Sequence, residues 1–316
     1  MSGYVPLDST QIPRFAQVRT FLRLPNVQTT QGIDYAVFGI PFDTGTTFRP
    51  GARFGPAAIR DISALIKPYN YDLDVNVAEL LSGVDYGDLP VVTGYIEDTY
   101  EQIVQALDPI VQAGVIPIGL GGDHSVTLGE LRSLAKVHGP LALVHFDSHT
   151  DTVDSYFGKK HCHGTPFARA LEEGLIDTAH SIQVGIRGTF YSGADVQSSR
   201  EMGFDLLTSS QVHDMGINAV AQRIIKRVAD KKAFLTFDID FADPACAPGT
   251  GTPEIGGFTG HECLRLVRSL KDIHFVGFDV VEVLPMMDPA QITALLAANI
   301  AATYVAIIAY QKKSMT

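Results

Sequence analysis

The sequence predicts an α/β fold: a mostly parallel sheet covered by helices on both faces. Three observations predict it. Short apolar runs rich in β-formers alternate with longer helical stretches, and the runs are apolar at nearly every position, as strands buried on both faces are. Acidic and imidazole side chains then gather just past the ends of three of these runs, where ligand sites of such sheets lie.

In chain order, strands are expected at residues 34–40, 115–120, 141–146, 181–186, 233–237 and 273–278. Helices are expected at 96–113, 128–136, 166–173, 217–229 and 261–270. Residues 292–310 carry no charge and approach the length of a membrane span, but Thr293, Asn299 and Thr303 interrupt them and they follow a strand and loop. A buried C-terminal helix, at a subunit contact, is the reading. At 316 residues and 46% hydrophobic content the chain can bury a large core, and one domain over 1–316 is expected, with no repeat or linker.

The balance of 24 Lys+Arg against 35 Asp+Glu, a net charge of −11, argues against nucleic acid or an anionic membrane as partner and suits a small cationic substrate. Cys162, Cys246 and Cys263 are few, odd in number and without close pairing, as in a reducing compartment. The start, MSGYVPLDSTQIPRF, lacks a basic segment followed by an apolar one, and the expected location is cytoplasmic.

The chemistry is concentrated in three blocks: GGDHS with His124, HFDSHTD with Asp147, His149 and Asp151, and FDID with Asp238 and Asp240. In extended backbone, alternate side chains share a face, so Asp147, His149 and Asp151 point one way, as do Asp238 and Asp240. Carboxylates packed this closely repel one another and are costly to bury unless cations lie between them. The blocks therefore read as a two-metal hydrolytic centre. Helix capping would account for any single acid, and does so for Asp123, but not for three converging blocks.

With HGTPF at 163–167, FDIDFADPACAPGTGTPEIGG at 237–257 and DVVEVLP at 279–285 in the same order and approximate spacing, the chain resembles the ureohydrolase family of arginases, agmatinases and guanidino-acid hydrolases over nearly its whole length. The resemblance implies a three-layer α/β/α fold, a homo-trimer or homo-hexamer, and two Mn2+ per subunit. One ion would take His124, Asp147, Asp151 and Asp238, the other Asp147, His149, Asp238 and Asp240, with Asp147 and Asp238 bridging. Oxygen-rich ligation with two imidazoles suits manganese, with Ni2+ as the alternative.

The implied reaction is hydrolysis of a guanidinium group to urea and an amine by hydroxide from a water bridging the two ions. Asp151 would accept and pass on a proton, His163 would serve as acid, base or shuttle, and Glu282 would pair with the substrate guanidinium. Tyr156 and Glu254 sit in segments that look most like guanidinopropionase and guanidinobutyrase, so 3-guanidinopropionate or 4-guanidinobutyrate is the expected substrate. Lys159 or Lys160 is a candidate partner for its carboxylate.

The chain departs from the family at VLPMMDP. Leu284, Met286 and Met287, if they face the pocket, favour an apolar or alkylated guanidine over a carboxylated one, although methionine also fills irregular gaps, and agmatine or an N-alkylated guanidine or biguanide is the alternative substrate. A deacetylase-like metallohydrolase and an inactive assembly subunit are the other readings.

Overall fold

The computed structural model describes residues 3–315. In chain order it contains β1 (Tyr35–Gly39), α1 (Gly55–Ser63), β2 (Tyr69–Asn70), β3 (Val75–Asn76), α2 (Val77–Leu80), β4 (Gly83–Asp88), α3 (Ile96–Gln112), β5 (Ile116–Leu120), α4 (Thr127–His138), β6 (Ala142–Phe146) and α5 (Pro166–Glu172). Then come β7 (Ile182–Ile186), α6 (Ala194–Glu201), β8 (Asp205–Thr208), α7 (Ser209–Met215), α8 (Ile217–Val228), β9 (Ala233–Asp238), α9 (Gly260–Ser269), β10 (Phe275–Val281) and α10 (Ile292–Met315). Eight strands form one sheet in the order β4-β1-β5-β10-β9-β6-β7-β8, with every recorded pairing in it parallel.

The central strands are buried at every position, which is why they read as continuous apolar runs rather than alternating ones. Each helix needs only one apolar stripe. In α8 that stripe is Val220, Ala221, Ile224 and Val228, and α9 starts at a capping box in which Thr259 and Glu262 satisfy each other's backbone N–H groups. The C-terminal stretch is helical to Met315, with 78% of its most apolar window buried inside the protein against α1, α9 and β10. Burial on nearly all sides explains why it has no polar face.

Two strands of the sheet fall outside the sequence expectation. Edge strand β4, GVDYGD, has only Val84 and Tyr86 as β-formers among two acids and two glycines; Gly83 is needed because the ring of Tyr35 lies 2.1 Å from where a Cβ would sit. The other edge strand, β8, is four residues long. The expected strand 273–278 starts and ends later, at Phe275–Val281, which carries β10 up to Glu282.

A buried ion pair fastens β4 to α1. Arg60 Nε donates to Asp85 Oδ2 at 2.8 Å and its Nη2 to Oδ1 at 3.1 Å, while the Phe21 amide donates to Oδ2 at 2.7 Å. Removing one partner leaves the other charge uncompensated. Arg60→Met is expected to lower unfolding stability by about 3–5 kcal/mol, measured by urea denaturation; a loss below about 1 kcal/mol would show that Asp85 is sustained by its backbone donors alone.

Candidate metal centre and active-site cavity

The functional side chains sit at the carboxyl ends of four neighbouring strands, β5, β10, β9 and β6. His124 follows β5, Glu282 follows β10, Asp238 closes β9 and Asp147 follows β6. Neither acidic block continues as extended strand through its last ligand, which corrects the sequence reading. β6 ends at Phe146, and residues 239–241 form a 3-10 turn. Each block instead folds back on itself: Asp147 Oδ1 accepts the His149 amide at 2.6 Å, and Asp238 Oδ1 accepts the Asp240 amide at 2.8 Å. An aspartate accepting from the backbone two residues on stabilises such a turn better than continued strand. Asp123 does the same for Ser125, as the capping reading expected.

All six proposed ligands converge. His124 Nδ1 lies 3.1 Å from Asp147 Oδ2, 3.0 Å from Asp151 Oδ2 and 3.3 Å from Asp238 Oδ2. On the other side, His149 Nδ1 lies 3.4 Å from Asp147 Oδ1 and 3.0 Å from Asp240 Oδ2. Asp147 thus belongs to both groups, one oxygen to each, as a bridging carboxylate would. Asp238 reaches the His124 side.

The donor set fits divalent cations. His124 Nδ1 and Asp240 Oδ2 are buried without a hydrogen-bond partner, although carboxylate oxygens surround the nitrogen. Burial, with the charges of Asp240 and Asp147, holds the Asp238 carboxyl well above the usual range. Burial opposes a cation on His124 or His149, yet the carboxylates outweigh it and raise both. The cluster attracts positive charge from any source, and its oxygen-rich composition matches hard or borderline divalent ions. His124 Nε2 meets Thr236 Oγ1 at 2.8 Å, leaving Nδ1 for the cluster.

Beside the cluster, His163 Nδ1 faces Glu282 Oε1 at 2.8 Å, and the Thr47 amide donates to His163 Nε2 at 3.0 Å. Burial disfavours a His163 cation, but Glu282, with Asp123 and Asp151 behind it, lifts its pKa to about 9. The Thr47 amide acts in the opposite sense, because it needs a lone pair on Nε2. Glu282 Oε1 also accepts the His124 amide at 2.9 Å, so one carboxylate ties the shuttle candidate to the ligand loop.

A cavity of about 750 Å³ opens over this site, lined by His149, Asp151, His163 and Asp238 and by Tyr156 on the facing loop. Glu254 is not on its wall: the carboxylate packs over Gly188 and its backbone carbonyl accepts from Arg187. The expected substrate contact is therefore a structural one. Lys159 and Lys160 do not line the cavity either, and Lys160 lies beside Asp154 and Glu172. Met286 and Met287 are exposed away from the wall, Met286 against Gly51, and Leu284 is fully buried, so none of the three shapes the substrate's surroundings. Cys162 is buried, which pushes its thiol up and disfavours the nucleophilic thiolate.

Two contributors were not read from the sequence. Arg187 donates to the carbonyls of Asp240, Ala242 and Glu254, fastening the loop after β9; its only sequence signal is a charged residue directly after an apolar strand. His145 lies in the cluster with His124, Asp147 and Asp151, and its position two residues before Asp147 was a usable signal.

A parallel sheet with a buried His/Asp cluster at its carboxyl edge, beside an open cavity, defines an α/β protein equipped to hold metal next to a small-molecule site. The Arginase family model matches residues 33–306. Proclavaminate amidinohydrolase of Streptomyces clavuligerus is 40% identical over 296 residues, covering 94% of this chain and 95% of that one. Guanidinopropionase of Pseudomonas aeruginosa is 41% identical over 295 residues (93% and 92%), and agmatinase of Citrobacter koseri 44% over 300 (92% and 94%). The solved structure of the Streptomyces clavuligerus enzyme superposes with a TM-score of 0.91 at 39% identity, over 95% of this chain and 99% of that one. The chain belongs to the arginase family, and is an amidinohydrolase acting on C–N bonds of guanidino groups.

Because Glu282 raises His163, Glu282→Gln is expected to bring its pKa down from about 9 towards the ordinary histidine value near 6.5. The amide oxygen still accepts, so the geometry survives. Histidine NMR titration reads the change; a His163 pKa left near 9 would assign the effect to Asp123 and Asp151.

Proposed function

We propose that the protein cleaves a small linear guanidino compound to urea and an amine, with two divalent cations, manganese first and nickel as the alternative, held by His124, Asp147, His149, Asp151, Asp238 and Asp240. The observation that carries this reading is the convergence of all six side chains on one another, with Asp147 turned to both groups and His149, Asp151 and Asp238 lining the cavity. Cations bound there supply a nucleophilic hydroxide near neutral pH and Lewis-acid polarisation of the substrate.

The chain's own residues supply the rest. Asp151 and His163 both line the cavity, placed to take a proton from the attacking water and return it to the departing amine, which leaves poorly unless protonated. Glu282 does not itself line the cavity but lies directly behind His163, which it holds through Oε1; its buried Oε2 has no partner and is the acceptor we assign to a guanidinium N–H that reaches past the wall. Orientation by these fixed acceptors is worth more than any contact that binds ground state and transition state alike.

For the far end of the substrate we favour a carboxylate, as in 3-guanidinopropionate or 4-guanidinobutyrate. Arg49 supports this: although not itself on the cavity wall, it stacks on Phe48, which is, with Cζ 4.9 Å from the ring centroid. A second reading, agmatine or an N-alkylated guanidine or biguanide, is favoured by the wall itself. Among the described residues that wall holds Asp195 and the aromatics Phe48, Tyr156, Phe157, Phe190 and Tyr191, but no lysine or arginine.

Urea release from 3-guanidinopropionate, 4-guanidinobutyrate, agmatine, arginine and dimethylbiguanide by manganese- and nickel-loaded protein decides between them. A guanidino acid should lead, and Arg49→Ala should weaken it by roughly tenfold, the worth of a partly exposed charge contact of about 1.4 kcal/mol. Preference for agmatine or the biguanide, unaffected by Arg49→Ala but reduced by Asp195→Asn or Tyr156→Ala, would establish the second reading.

A further inference from the structure

His145 is fully buried on β6, directly behind the shared carboxylate, and the reaction as described does not use it. Its Nε2 lies 2.7 Å from Asp147 Oδ2. Its Nδ1 lies 3.0 Å from Gln183 Nε2, the partner across the β6–β7 register. Gln183 Nε2 also donates to the Thr150 carbonyl at 2.6 Å, while Gln183 Oε1 accepts the hydroxyl of buried Ser199 on α6.

This chain has only one consistent set of protons. A backbone carbonyl accepts and never donates, so the Gln183 group facing Thr150 must be the NH2, and the amide cannot be flipped. The same NH2 meets His145 Nδ1, which must present a lone pair. The neutral imidazole then carries its proton on Nε2, where it points at Asp147 Oδ2. One backbone carbonyl thereby determines a proton position two side chains away.

We propose that Gln183 and His145 are positioning residues for the metal centre: Gln183 holds His145 in the Nε2–H tautomer, and His145 donates that proton to Asp147. The inference rests on the reading of Asp147 as a shared metal ligand. It also makes His145 a donor to a ligand and not a seventh ligand, although its ring nitrogen lies within ligating range of the cluster. Gln183 reaches both ends of the ligand loop, Asp147 through His145 and Thr150 directly. Asp151, next to Thr150, has the positive φ of 50° that brings its carboxylate back to His124. Ser199, through α6, connects the same glutamine to the helix whose first turn carries Asp195 of the cavity wall.

Joint neutron and X-ray diffraction from deuterium-exchanged, manganese-loaded crystals of the full chain reads the proton directly. The expected result is a deuteron on His145 Nε2, none on Nδ1, and the ND2 of Gln183 towards Thr150. A deuteron on Nδ1, or the reverse amide, overturns the proposal. Manganese affinity by chelator competition gives an independent measure: Gln183→Leu is expected to bind about 10–100-fold more weakly, the usual cost of losing an outer partner of a ligand. An affinity within twofold, in protein of unchanged melting temperature, overturns the positioning role. The two readings separate in one crystal. Ions absent from Asp147 would overturn the metal reading and the positioning role with it, whereas a deuteron on Nδ1 beside bound ions would overturn the positioning role alone.

Discussion

The structure depends on the burial of like charges. Asp147, Asp238 and Asp240 are each at most 3% exposed, with Asp151 and Glu282 close by, and ionised carboxylates at such separations are tolerated only when positive charge lies among them. Two imidazoles and a set of backbone N–H donors offset part of this repulsion. His124 and His149 are drawn towards the charged form by the acids around them, and Asp147 and Asp238 each take up an amide from their own turn. Unpartnered His124 Nδ1 and Asp240 Oδ2 are the residue of an incomplete balance, one that divalent cations held by these side chains would complete.

The fold is arranged to sustain that concentration of charge. Parallel strands all deliver their chain ends to one edge, and the four that carry the site are neighbours at the centre of the sheet, where helices on both faces exclude water. The edge is not regular. Asp151 and Glu282 have positive φ, 50° and 65°, a region costing an L-residue about 1–2 kcal/mol. Both are held there by what surrounds them: the Glu282 amide donates to Gly122 and its carboxylate accepts from His124, while the Asp151 carbonyl accepts from Phe167. Strain at two acids of the site is offset by the interactions that aim them. Arg187, spanning three carbonyls after β9, fixes the opposite wall in the same way.

Much of this was legible in the residues. The central strands declared themselves by uninterrupted apolarity, and the ligands by their place after strands 115–120, 141–146 and 233–237. What failed was local or long-range. The DxHxD and DxD spacing reads as period-two strand, but an aspartate that can accept from its own i+2 amide turns the chain instead, so the right residues converge by a different backbone path. Edge strands β4 and β8 gain more from pairing than from side-chain burial and carry no strong pattern. The far wall of the cavity was least legible. Glu254, Lys159 and Lys160 lie near it in sequence, but whether a loop side chain faces a cavity or packs over a glycine 66 residues away, as Glu254 does over Gly188, is decided by tertiary packing. His145 carries a local signal in its place two residues before Asp147, but its role depends on Gln183 from the neighbouring strand, a pairing that sequence spacing does not show.

The most direct measurement is anomalous X-ray diffraction from crystals of the chain grown with manganese. The account predicts two anomalous peaks in each chain, one beside His124 Nδ1 and one beside His149 Nδ1, with Asp147 in contact with both. A single peak, or peaks away from these two nitrogens, would contradict the central claim that the buried carboxylates are held together by a pair of cations.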